Sequence, residues 1–144
     1  MRNLESRYPQ AIKVLIVDDN PGVRNCIKQI ISDEPDMTVR GEAEDAFVAW
    51  AMLAGESFDI ALIDISMPRM SGFKLLDQMR SKNIETPTLM LSFYNDEMFS
   101  AKALKAGAVS FINKSNISEE LVRAIRNIIW KEEYEKQGSF ALNF

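Results

Sequence analysis

The sequence predicts an α/β fold: a doubly wound parallel sheet with helices on both faces. Three observations carry this. Five short apolar, β-branched runs are bounded by turn residues and read as strands. Five stretches of helical periodicity alternate with them, and such alternation implies parallel strands joined by helical crossovers. The chain has 144 residues, 47% hydrophobic and 26% charged, enough for one core that folds without disulfides.

The first strand is Ile12–Val17, "IKVLIV". Asn20 then caps a helix with Pro21 in its first turn. Val23, Ile27, Ile30 and Ile31 line one face of that helix, and Pro35 follows its end. The second strand, Met37–Ala43, has the weakest pattern. Phe47, Ala51 and Ala54, flanked by Val48 and Met52, make the apolar face of a second helix that Gly55 stops. The third strand is Asp59–Ile63, followed by a helix capped at Ser71 with Phe73, Leu76 and Met79 inward. Thr88–Leu91 is the fourth strand. A helix starting at Asn95 or Asp96 follows it, carries Met98, Ala101 and Leu104, and ends at Gly107 in a left-handed conformation.

Val109–Ile112 is the fifth strand, and Ser118 is expected to cap the last helix. Leu121, Val122, Ile125, Ile128 and Ile129 have the spacing of one buried stripe. "WKEEYEKQ" extends this helix, with Glu132 and Lys136 placed to pair at i, i+4 and with Trp130 and Tyr134 partly covering the core. "GSFALNF" reads as a tail. The expected division is an N-terminal extension at 1–11, one domain at 12–130, and a helix extension and tail at 131–144.

Composition narrows the chemistry. The net charge of −4 disfavours direct nucleic-acid binding, whose affinity comes mainly from neutralising phosphates. With no histidine, Ser/His and Cys/His catalytic pairs and imidazole-bound zinc are excluded. The single cysteine, Cys26, forms no internal disulfide and is expected to be a small buried residue in a reducing compartment. No stretch has signal-peptide character or membrane-spanning length, so a cytoplasmic location is expected.

The strands differ from their ends. The first runs into Asp18 and Asp19, the third into Asp64, the fourth into Ser92 and the fifth into Lys114. In a parallel doubly wound sheet these ends share the edge where such folds place their sites. Each residue alone fits a solvated turn or helix cap; their convergence is the signal. Carboxylates without imidazole or thiolate suit a hard cation with oxygen ligands, and Mg²⁺ fits. An aspartate beside Mg²⁺ and a lysine can attack a phosphoryl group and become an acyl phosphate. Asp64, single and central, is the best nucleophile. Lys114 is the cationic clamp, and Ser92 can donate a hydrogen bond to a phosphoryl oxygen.

"VDDN" at 17–20, "DISMPRMSG" at 64–72, "LSF" at 91–93 and "FINK" at 111–114 resemble the receiver domain of bacterial two-component response regulators. "SEELVRAIRNII" at 118–129 is similar to the last helix of the branch that usually carries a helix-turn-helix DNA-binding output domain. The resemblance implies a flavodoxin-like (CheY-like) fold with strand order 2-1-3-4-5 and a cytoplasmic phosphorelay protein that takes a phosphoryl group from a sensor kinase phosphohistidine onto Asp64. It makes Asp19, Asp64 and the Ser66 backbone carbonyl direct Mg²⁺ ligands, with Asp18 acting through water. It gives Ser92 and Phe111 the roles of switch hydroxyl and switch aromatic, and Lys114 that of phosphate-binding lysine. It implies no turnover enzyme, but a phosphoacceptor that assists its own phosphorylation and dephosphorylation. The partner it implies is a sensor histidine kinase. Homodimerisation through the first and fifth or the fourth and fifth helices stays open, and DNA is reached only through an output domain that these residues do not contain.

Some positions depart from the family's pattern. Phe93 stands where a small residue is usual; it either obstructs the phosphodonor or points away and packs on the fourth helix. Position 111 is Phe where Tyr is common, which removes a phenolic hydrogen bond. Ser115 replaces a frequent proline, so no cis peptide is expected there. The main competing reading is a receiver-fold interaction module that works without phosphorylation. An aspartyl-phosphate phosphatase would need an acid at position 66, where this chain has Ser. A flavin-binding protein would need a phosphate-cradling loop where it has "DDNPG".

Overall fold

The computed structural model describes residues 11–94 and 97–141, apart from the side chains of Tyr134 and 136–141. Five parallel strands form one sheet in the order β2-β1-β3-β4-β5. The strands are β1 Ile12–Val17, β2 Met37–Ala43, β3 Ile60–Asp64, β4 Thr88–Ser92 and β5 Ser110–Asn113. The helices are α1 Pro21–Ser32, α2 Ala46–Gly55, α3 Gly72–Ser81, α4 Glu97–Lys105 and α5 Ile117–Ala141, the last preceded by a 3₁₀ turn at Lys114–Asn116. Strand order and double winding are as the resemblance implies.

The period-2 alternation of side chains along each strand sorts the core into two layers. Val14, Ile16, Ile60, Leu62, Leu89, Leu91 and Ile112 face α1 and α5, where Ile27, Ile31, Leu121, Ile125 and Ile128 meet them. Leu15, Val17, Ala61, Ile63 and Met90 face α2, α3 and α4, where they meet Ala49, Leu53, Leu75, Leu76, Met79 and Ala103. Arg126 clasps α5 to the α1–β2 turn through Asp36 and Glu34. Asn20 and Ser71 cap α1 and α3 as expected, and Gly107 takes φ +107° after α4. The described peptides are all trans.

Several expectations are corrected. On α2 the buried face is Ala46, Ala49 and Leu53, while Phe47, Ala51 and Ala54 point to solvent. "AFVAWAMLAG" is apolar all round, so periodicity cannot choose its face; the neighbouring strands do. On α4, Ala103 is buried with Phe99 and Ala106 packed beside it, and Met98, Ala101 and Leu104 face outward. Phe99, Ala103 and Ala106, spaced i, i+4, i+7, form a competing stripe, and this is the one packed against the core. Cys26 is exposed, because it lies off the Val23–Ile27–Ile31 stripe. Ser118 does not cap α5; the helix begins at Ile117, directly after the 3₁₀ turn that Asn113 caps. The start of α4 at Asn95 or Asp96, the Lys136 and Tyr134 side chains, and most of the N-terminal extension lie outside the described residues.

Candidate functional site

Strand register levels the carboxyl ends of the strands. Asp64 pairs with Leu91, and Ser92 pairs with Asn113. Asp18 and Asp19 leave β1, Asp64 ends β3, Ser92 ends β4, and Lys114 follows β5. Each strand's apolar run carries the polar residue at its end to the edge of the core, where Asp18, Asp64, Ser92 and Lys114 are all buried.

Lys114 Nζ lies 2.6 Å from Asp18 Oδ2 and 3.1 Å from Asp64 Oδ1. All three residues are buried: Asp18 is 0%, Asp64 4% and Lys114 8% exposed. Unpaired charges would not tolerate such burial. Asp64 shows the strain of the arrangement. Burial and then the Asp18 charge raise its pKa from 3.8 to about 6, against the pull of Lys114 and the Ser66 N–H.

The loop after β1 is held by several bonds. Asp18 Oδ1 accepts from the Asn20 N–H at 2.9 Å, and the Asp18 N–H donates to the Ala43 carbonyl at 3.0 Å. Arg24 Nη1 donates to the Asp18 carbonyl at 2.7 Å, while its Nε pairs with Glu42 at 2.8 Å. Arg24 and Lys28 together hold the Glu42 carboxyl below the ordinary glutamate range. On the β3 side, Gly72 lets α3 come close, because a Cβ there would lie 2.3 Å from the Asp64 carbonyl oxygen.

Asp18, Asp19 and Asp64 each offer a carboxylate oxygen, all within 4.8 Å of one another. Asp18 Oδ2 is buried, and its partner is the Lys114 ammonium. Three hard oxygen donors this close together fit a divalent cation such as Mg²⁺ and not a soft metal.

Ser92 is buried, and its Oγ accepts from the Tyr94 N–H at 3.0 Å, which fixes the turn after β4. Ser66 is exposed, and its N–H donates to Asp64 Oδ1 at 3.2 Å. Phe111 is half-buried against the α2–α4 side of the core. Asp18, Asp64 and Lys114 therefore meet directly, Asp19 completes the acidic cluster, and Ser92 and Phe111 stand beside them.

Four residues were missed by sequence reasoning or read otherwise. Phe93 lies over Lys114, with its ring centroid 5.1 Å from Nζ, and Tyr94 meets α4 through Phe99. Asn113 Nδ2 donates to the Phe93 carbonyl at 3.5 Å. Arg69, at φ +69°, pairs with Asp45 and lies over the Phe47 ring. Arg24 could have been suspected, being a cation one turn into the helix that follows two acids. The others depend on long-range approach that spacing does not encode.

The family model of the response regulator receiver domain matches residues 14–126. The chain belongs to this receiver domain family. Among its curated relatives, the nitrate/nitrite response regulator protein NarL of Escherichia coli is 35% identical over 112 residues, covering 78% of this chain and 52% of that protein. A protein-glutamate methylesterase/protein-glutamine glutaminase of Pseudomonas aeruginosa is 39% identical over 108 residues, covering 74% of this chain and 31% of that protein. The chain spans about half the length of the curated regulators it matches, including a Bacillus subtilis transcriptional regulatory protein, YdfI, at 51%. Among solved structures, the response regulator domain of Thermotoga maritima CheB superposes with TM-score 0.77 at 31% identity, covering 83% of this chain and 97% of that one. A NarL signal receiver domain from Mycobacterium tuberculosis gives TM-score 0.79 at 29% identity, covering 84% and 98%. No described helix of this receiver domain is long and apolar enough to cross a membrane.

Proposed function

We propose that this receiver domain is the Mg²⁺-dependent phosphoacceptor of a two-component system, with Asp64 taking a phosphoryl group from the phosphohistidine of a sensor kinase. The observation that carries the reading is the buried Asp18–Lys114–Asp64 bridge within a cluster of three carboxylates whose oxygens lie within 4.8 Å of one another. In the reaction a carboxylate oxygen of Asp64 attacks phosphorus. The donor's P–N bond breaks, and its electron pair leaves with the imidazole. Asp19, Asp64 and the Ser66 carbonyl would hold Mg²⁺, with Asp18 acting through water; the ion, when bound, neutralises charge on the transferring oxygens. Lys114 is placed to leave its ion pairs for a phosphoryl oxygen. The Ser92 hydroxyl then turns toward the phosphoryl group, and Phe111 moves into the space released.

The reading treats 12–130 as the receiver and 131–144 as the start of a connection to an output module. The chain assists its own phosphorylation and dephosphorylation and is not a turnover enzyme. A cytoplasmic location, a sensor kinase partner, transcriptional output through a DNA-binding module and homodimerisation complete the proposal. Incubation with Mg²⁺ and acetyl phosphate, read by intact mass, tests it: the parent gains one phosphoryl group, and Asp64→Asn gains none. A parent that gains nothing at any Mg²⁺ concentration supports the interaction-module reading instead.

A further inference from the structure

Lys114 Nζ has three close neighbours of two kinds: carboxylates of Asp18 and Asp64, and the face of the Phe93 ring at 5.1 Å from its centroid. The Lys114 side chain is only 6% exposed, whereas Phe93 is 61% exposed. An apolar ring that exposed has little burial to hold it, so the attraction of its π face for the ammonium is the contact that can orient it. Its backbone is fixed as well. Asn113 donates to the Phe93 carbonyl, and the neighbouring Ser92–Tyr94 turn is closed by its own hydrogen bond.

A phosphoryl oxygen that pairs with Lys114 must therefore compete for an ammonium already shared between two carboxylates and a ring. We propose that Phe93 gates the phosphoacceptor site, its ring holding Lys114 until an incoming phosphoryl oxygen displaces it. This rests on the function proposed above. The hold is electrostatic as well as steric, so it depends on the ring and not on bulk alone. The substitution Phe93→Leu keeps most of the volume and loses the π face, whereas Phe93→Trp strengthens the face.

The test compares the parent with Phe93→Leu and Phe93→Trp, using Mg²⁺ and acetyl phosphate and following initial rates by intact mass. The expected result is that Phe93→Leu is faster than the parent by about three- to tenfold and Phe93→Trp is slower. A second readout is independent of rate. The Lys114 εCH₂ protons in the parent are shifted upfield by the ring, and this shift is lost in Phe93→Leu and on phosphorylation. A parent that takes the phosphoryl group no more slowly than Phe93→Leu, or that keeps the ring-current shift once phosphorylated, overturns the gate alone. If none of the three proteins takes a phosphoryl group at Asp64, the phosphoacceptor reading itself fails and the gate falls with it.

Discussion

Lys114 Nζ bridges Asp18 and Asp64 at 2.6 and 3.1 Å, so one buried ammonium is shared between two buried carboxylates drawn from different strands. Removing one partner of such a cluster leaves buried charge uncompensated, at a cost of about 3–5 kcal/mol. Lys114→Met is accordingly expected to lose about 3 kcal/mol near neutral pH by urea denaturation. Millimolar Mg²⁺ is expected to restore part of that loss, because a divalent cation supplies the missing positive charge. A Lys114→Met variant as stable as the parent in metal-free buffer would contradict the bridge.

The raised pKa of Asp64, about 6 against 3.8, makes stability depend on pH in a definite direction. The folded protein holds the proton more tightly than the unfolded chain does. Asp64 therefore contributes stability that is fully present below about pH 4 and is lost as pH rises through about 6. Without metal, Asp64→Asn should remove this component and exceed the parent near neutral pH by on the order of 1–2 kcal/mol, allowing for partial solvent screening. Urea midpoints of both proteins across this range check it. A parent whose Asp64-dependent stability rises with pH would have the sign reversed.

Gly72 is fixed by a close approach, since a Cβ there would sit 2.3 Å from the Asp64 carbonyl oxygen. The obstacle is backbone and cannot rotate away. Gly72→Ala is expected to cost about 2–3 kcal/mol and to displace the end of β3. The denaturation midpoint and the amide shifts of Asp64 and Ile65 report the two effects separately.

Arg24 offers a test by sign. It anchors the Asp18 carbonyl at 2.7 Å and is itself held by Glu42. If the guanidinium acted only as a nearby positive charge, Arg24→Met would tighten Mg²⁺ binding. As an anchor for the acidic loop it should do the opposite, weakening binding about three- to tenfold, and Arg24→Lys should restore little because it lacks the fork. Calorimetric titration with Mg²⁺ decides between the two.

The chain's architecture was legible because strand, helix and turn signals agreed. β1 and β2 fall on the predicted residues, and Asn20 and Ser71 cap the helices they were expected to cap. Helix faces were legible only where polar residues mark the solvent side. α1 and α5 have that contrast. α2 lacks it, and α4 carries two competing stripes, so in both the buried face differs from the expected one. Asp18, Asp64 and Lys114 could be brought together on paper because parallel topology fixes where strands end. Phe93 over Lys114 and Arg24 on the Asp18 carbonyl could not, since both depend on side-chain direction, which spacing does not encode.

The most direct test asks which aspartate carries the phosphoryl group. After reaction with acetyl phosphate, borohydride reduction converts an aspartyl phosphate to homoserine, which peptide mass mapping locates. The expected result is homoserine at position 64 alone, formed with Mg²⁺ and absent with a chelator. Homoserine at position 18 or 19, or at position 64 irrespective of metal, would contradict a metal-dependent acceptor at Asp64.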